Sequence, residues 1–170
     1  MPVRNILRYG AEPLSTVSVP ITDFSRDWQS LVDDMVATMY AAPGVGLAAP
    51  QIGINERLIV IDISAGDREG ELIVMANPEI LEAEGRQLAE EGCLSVPGYS
   101  GVTRRPARVR VRGQRLDGSS FEMEATGLLA RAFGHEVDHL DGRLFMERLG
   151  ALKRDLIRRK LRRRIRRGDW

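Results

Sequence analysis

The chain has 170 residues, 43% of them hydrophobic and 29% charged, enough to bury the core of one domain spanning residues 1–170 without staples. No apolar run approaches the ~18 residues needed to span a bilayer, and the opening "MPVRNILRYG" lacks the apolar centre of a signal peptide. A single cysteine excludes an internal disulfide and fits a reducing, cytoplasmic location. The net charge of +1 conceals a division: residues 153–170 hold ten Lys or Arg against two Asp, a net of +8, so the other 152 residues carry 15 basic and 22 acidic side chains, a net of −7.

Read in chain order, the first helix is predicted over residues 26–41, where Trp28, Leu31, Val32, Met35 and Met39 recur at helical spacing. Asp23 or Ser25 is its expected cap, and "APG" at 42–44 its stop. The branched-residue runs at 57–64 and 71–80 predict strands separated by the turn-forming "AGDREG". "ARVRVRGQRL" (107–116) alternates Val with Arg, "DG" at 117–118 supplies a tight turn, and "SSFEMEA" (119–125) alternates again, which predicts a hairpin. Thr126 is the expected cap of a second helix through Leu128, Leu129, Ala132, Phe133, His135 and His139 that ends at Asp141 and Gly142. Its largely apolar circumference places it among the strands. A last helix is predicted from about Met146 to Arg167, with Leu149, Leu152, Leu156, Ile157, Leu161 and Ile165 as its apolar stripe. Strands and helices without regular alternation give an α+β fold with mainly antiparallel sheets.

Both histidines lie in "AFGHEVDHLDG" (132–142), at i and i+4 on the second helix, so that His135 and His139 share one face and can aim at one ion. Glu136 is rotated by roughly 100° from His135, awkward as a ligand but within reach of a water on that ion. The ordinary alternative, two unrelated core or surface histidines, leaves unexplained why the only pair stands at ligand spacing around a glutamate. Two histidines leave a catalytic metal one protein ligand short. Any Asp or Glu, or Cys93 in the bent "EEGCLSVPG" segment, is a candidate for the third; a free cysteine is more often a small buried hydrophobe.

Three segments, "GVGLAAPQ" (44–51), "EGCLS" (91–95) and "HEVDH" (135–139), resemble in order and spacing the signature segments of the peptide deformylases, and the likeness runs from "ILRYGAEPL" to "GRLFMERL", about residues 4–150. The resemblance implies antiparallel β-sheets surrounding a central metal-binding helix, and hydrolytic removal of the formyl group from the N-terminal formyl-methionine of nascent polypeptides. It implies that Cys93, His135 and His139 hold the metal and that Glu136 is the general base and acid for a metal-activated water. Oxyanion donors are implied at the Gln51 side chain and the Leu94 backbone N–H, and a methionine pocket beside Val45, Gly46, Leu128 and His135. Fe2+ is the implied metal, with Ni2+, Co2+ or Zn2+ able to substitute.

Further expectations are weaker in kind. Asp138 points away from the metal and is a candidate partner of Arg105, the alternative being two solvated surface charges; Arg131 lines the entrance or sits in solvent. Gly134 occupies a position that is often Gln in similar proteins, and is expected to mark tight packing. The basic helix 153–170 either is a solvated surface helix or binds RNA phosphates, which for an enzyme of emerging chains means the ribosome; no membrane partner is expected. The rival enzyme is a small metallopeptidase, against which Cys93 and "GVGLAAPQ" argue. The rival nonenzymatic reading, an RNA-binding protein with a structural metal, lacks a fourth protein ligand.

Overall fold

The computed structural model describes residues 1–170. In chain order it contains α1 (Trp28–Ala41), β1 (Gly46–Ala48), β2 (Leu58–Ile61), β3 (Ile73–Glu84), β4 (Gln87–Gly92), β5 (Ser100–Arg105), β6 (Arg108–Gln114), β7 (Ser120–Thr126), α2 (Gly127–Leu140) and α3 (Ala151–Arg167). Short 3-10 turns lie at Glu12–Ser15, Ala49–Ile52 and Phe145–Arg148. One sheet runs β1-β2-β3-β6-β7 and a two-stranded sheet pairs β4 with β5, every pairing between strands being antiparallel. This is the α+β architecture expected from the sequence.

The five-stranded sheet carries a helix on each face, which explains why its central strands read as apolar runs. In β2, Leu58 and Val60 pack with Val32, Met35 and Met39 of α1, whereas Ile59 and Ile61 pack with Phe133 and Leu140 of α2, and all four strand residues are fully buried. Burying side chains of this size stabilises the fold by about 1.5–3 kcal/mol each. α2 is thereby gripped along its apolar side, and its histidines are held in register with the strands.

Several boundaries differ from expectation. α1 begins at Trp28, and its cap is Asp27, which accepts from the Ser30 N–H; Asp23 instead accepts from Ser25 in a turn before the helix. Thr126 does cap α2 by position, without a side-chain hydrogen bond. The strand expected over 71–80 extends to Glu84, with its register shifted between Ala76 and Glu79, where Asn77 adopts φ +49°. The helix expected from Met146 is broken: Phe145–Arg148 form a 3-10 turn and Gly150, a poor helix former, becomes the N-cap of α3. Its expected stripe is also narrower. Ile157 and Leu161 are buried, but Leu152 is 88% exposed and Leu156 and Ile165 also face solvent, because only one edge of α3 meets the core that includes Val96, Phe145, Met146 and Leu149. Residues 90–92 belong to β4 rather than to a bent loop; the bend begins at Cys93, where β4 ends. No helix is long and apolar enough to cross a membrane.

Candidate active site

α2 presents His135 and His139 toward the turn that follows β4. Cys93 Sγ lies 3.3 Å from His139 Nε2, and the two histidine Nε2 atoms are 3.2 Å apart. All three donors lie within 4.8 Å of one another. Ligands at about 2.0–2.3 Å from a tetrahedral ion stand roughly 3.3–3.8 Å apart, so the cluster has the size of three corners of such a site. The donor chemistry fits as well: one thiol, two imidazoles and no fourth protein ligand leave an open position, the pattern of a catalytic rather than a structural centre. His139 Nδ1 is buried without a partner, as is Glu136 Oε2.

Charge around the site sorts the protonation states. Glu91 Oε1 lies 2.9 Å from His135 Nδ1, and an ionised carboxylate only accepts, so Nδ1 carries the proton and Nε2 is left to face the cluster. Burial disfavours a further proton on His135, but Cys93 and Glu91 outweigh it and carry the histidine well above its ordinary value. Burial, followed by the positive charges of His135 and Arg105, holds His139 well below its ordinary value and therefore neutral. Glu136 is buried against Gly46, where any side chain would collide with its carboxylate, and burial pushes that carboxyl up to about 7. A carboxylate of that basicity is matched to proton transfer near neutral pH.

Gln51 is held by the 3-10 turn Ala49–Ile52. Its Oε1 accepts from the Ala48 N–H at 2.9 Å, which fixes the amide and leaves Nε2 aimed 3.2 Å from Ser95 Oγ and 3.8 Å from Cys93 Sγ. A cavity of about 440 Å³ opens beside these groups, lined among others by Val45, Gly46, Gln51, Cys93, Leu94, Leu128, His135 and Glu136. The catalytic, substrate-binding and ligand residues named from the sequence line this cavity except His139, which is buried and meets it through Cys93 and His135.

What sequence reading missed is most of the support beneath, above all Glu91, Thr103 and Arg148. β4 and β5 place Glu91, Thr103 and Arg105 on one inner face. Arg105, 1% exposed, donates to Glu91 through Nε and Nη2 and to Asp138 Oδ2 through Nη1 at 2.8 Å. Arg148 closes the far side of Asp138 at 2.6 and 2.7 Å. The Arg105–Asp138 pairing was anticipated, but as one of two alternatives; the pair is buried, not solvated. Arg131 likewise lies inside, donating to Thr103 and Glu91. Gly134 is explained by this network: a Cβ there would stand 3.1 Å from Arg105 Nη1, so the tight packing is against the arginine. No local signal marks Glu91: in "QLAEEG" the apolar Leu88 faces outward, 67% exposed, while Glu91 faces inward, and the β5 partner that covers it lies ten residues on.

Comparison with known proteins agrees with this geometry. The family model described as polypeptide deformylase matches residues 3–155. A peptide deformylase of Acidobacterium capsulatum is 51% identical over 170 residues, covering all of both chains, and one of Thermodesulfovibrio yellowstonii is 48% identical over 160 residues, covering 94% of this chain and 97% of the relative. The crystal structure of a peptide deformylase from Legionella pneumophila superposes with a TM-score of 0.89 at 44% identity over 98% of each chain. On sequence, fold and the arrangement of its donor side chains, the chain belongs to the polypeptide deformylase family.

Proposed function

We propose that Cys93, His135 and His139 hold one divalent metal ion, that Glu136 carries the proton in hydrolysis, and that Gln51 and the Leu94 N–H receive the developing oxyanion. The chain is an enzyme of a metal-dependent family that removes the N-terminal formyl group from nascent peptides; the residue roles and the metal are our reading. The observation that carries it is the convergence of one thiol and two imidazole nitrogens within 4.8 Å of one another, beside a buried glutamate. Bound there, a divalent ion supplies Lewis-acid polarisation and lowers the pKa of water. We infer Fe2+ as the working ion, with Ni2+ or Co2+ as active substitutes and Zn2+ as a poorer one; thiolate and imidazole ligands alone do not select among them.

Each residue then has a task. Glu136 takes a proton from the attacking water and returns it to the amine nitrogen that leaves. Gln51 Nε2 donates to the oxygen of the former formyl group, its orientation set in advance by the Ala48 N–H, so no reorganisation is required as charge develops. Val45, Gly46 and Leu128 form the wall that accepts the methionine side chain. β1 is an edge strand of the five-stranded sheet, and its free side at Gly46 offers backbone groups to an extended peptide.

The test is formate release from a formyl-methionyl tripeptide by anaerobically purified, iron-loaded protein. Turnover is expected for the parent, and a fall of about 10²- to 10⁴-fold in kcat for Glu136→Gln. No release by the iron-loaded parent would overturn the assignment, and equal rates would remove Glu136 from the reaction. We further propose that residues 153–170 bind ribosomal RNA. Arg154 with Asp155 is the only ion pair formed by these cations, so most of the charge is unneutralised on an exposed helix. Cosedimentation with ribosomes should weaken steeply with salt, and should be lost on deleting 153–170; unchanged cosedimentation would refute it.

A further inference from the structure

Beyond α3 the chain turns at Gly168, φ +73°, and Trp170 folds back onto the body. Its indole Nε1 donates to the Tyr9 carbonyl at 2.9 Å, and its ring meets Tyr99 edge to face with centroids 6.3 Å apart. The guanidinium groups of Arg8 and Arg164 lie 5.5 and 4.9 Å from the ring centroid, within cation–π range. Four contacts from one side chain define a latch rather than a fraying end.

The latch closes on the wall of the active site. The Tyr9 N–H donates to the Ser95 carbonyl at 2.9 Å and the Leu7 N–H to the Gln51 carbonyl at 2.7 Å, so the Leu7–Tyr9 strip is bonded to both flanks of the donor cluster. Tyr99 itself lines the cavity. Between them runs the turn Cys93–Tyr99, which carries the thiol and Leu94. Its internal backbone bonds are few: the Val96 N–H to Cys93 at 2.9 Å and the Tyr99 N–H to Val96 at 3.4 Å. A segment with so little internal bonding takes its shape from what braces it outside.

We propose that Trp170 is a positioning residue for peptide binding: by pinning Tyr9 and Tyr99 it holds the Cys93–Tyr99 turn in the shape that receives the formylated peptide. The proposal rests on the reading of the cavity as the deformylation site. Trp170 touches no reacting atom. Its loss therefore loosens the far part of that turn, Ser95–Tyr99, while Glu136 and the two histidines on α2, Gln51 on the Ala49–Ile52 turn, and Cys93 and Leu94 directly after β4 keep their places.

Steady-state formate release by iron-loaded Trp170→Ala and Trp170→Phe, with bound metal and thermal midpoint measured on the same samples, tests it. For Trp170→Ala, KM is expected to rise about five- to tenfold, the size of one lost aromatic contact, with kcat within about twofold of the parent. Trp170→Phe, which keeps the ring edge against Tyr99, should recover most of the difference. Parent-like KM in Trp170→Ala overturns the proposal; so does a joint fall of kcat, metal content and thermal midpoint that Trp170→Phe does not relieve, which marks structural support only. Should Trp170→Ala fail to fold, the double variant Arg8→Gln with Arg164→Gln strips both cations from the ring, and an unchanged KM in it overturns the latch. A parent that releases no formate overturns the deformylase reading itself, a result distinct from an active parent with unaffected variants.

Discussion

Two clusters of arginine and carboxylate occupy opposite surroundings in this molecule. Across the outer face of β3, β6 and β7, Arg110 pairs with Glu82 at 2.6 Å and Glu122 at 2.8 Å, and Arg112 with Glu79 at 3.0 Å, all with side chains a third or more exposed. Beneath α2, Arg105 bridges Glu91 and Asp138 with its own side chain 1% exposed. The outer ladder works in high dielectric, and each pair contributes at most about 1 kcal/mol. The inner bridge cannot be judged by its ion pairs alone, because desolvating three charges offsets much of their attraction. What it provides is orientation: Glu91 selects the His135 tautomer, and Arg105 holds Glu91. The same two residue types thus serve surface charge balance in one place and ligand geometry in the other.

The sharpest way to break this comparison is Arg105→Met, which keeps the volume and removes the shared cation. A loss of up to about 3–5 kcal/mol is expected in urea unfolding, because two buried carboxylates lose their shared cation, Asp138 keeping only Arg148 and Glu91 only Arg131 and His135 as basic partners; a loss below about 1 kcal/mol would place the bridge with the surface ladder. Glu91→Gln separates the charge from the shape. Burial raises the Glu91 carboxyl, but hydrogen bonds from His135 and Arg105 outweigh this and hold it at about 2 in place of the ordinary 4.5. Since the folded value is the lower one, this stabilisation is present above pH 4.5 and drains away as the pH falls toward about 2. Metal-free Glu91→Gln should show a flatter decline of stability across that window, and its affinity for Co2+, measured by chelator competition, should fall about 10- to 100-fold; parallel slopes and equal affinities would remove Glu91 from both roles.

Gly134→Ala sharpens the comparison at smaller scale. Helix propensity alone favours alanine by up to about 1 kcal/mol, but the added Cβ crowds Arg105, and a net destabilisation of about 1 kcal/mol is expected in the same unfolding assay. A stabilised variant would show that Arg105 yields without strain. Smallest of all is Arg110→Ala on the outer ladder, with less than about 1 kcal/mol lost and the difference erased in 1 M salt, where screening acts within about 3 Å. A larger, salt-resistant loss would contradict the contrast from the other side.

The ladder was easier to read in the sequence than the bridge. "RVRVR" alternates at the strand period, so Val109 and Val111 inward and Arg108, Arg110 and Arg112 outward follow from one strand alone. The histidine pair is equally local, because i and i+4 share a helix face whatever the rest of the chain does. Arg105, Arg131 and Glu91 carry no such local mark. For Arg105 and Arg131 a solvated charge stands beside the functional alternative, and all three residues are buried only because β4 and β5 fold their inner face onto α2. The apolar stripe assigned to α3 fails for the same reason in reverse: Leu152 repeats at helical spacing, yet no element lies opposite it.

By itself, the sequence determined what depends on neighbours within a turn or a strand: the apolar runs of the central strands, the hairpin of β6 and β7, and a helix that offers two imidazoles to one point with a glutamate beside them. Its likeness to the deformylases pointed to Cys93 as the candidate third ligand, which no local period could single out. Only the tertiary structure decided which charges are buried, that Glu91 selects the His135 tautomer, that Gly134 makes room for Arg105, and that Trp170 returns to the rim of the cavity. The physical reason is range. Backbone periodicity acts over a few residues, whereas desolvation and the satisfaction of a buried charge depend on segments separated by tens of residues, which meet only when the chain has folded.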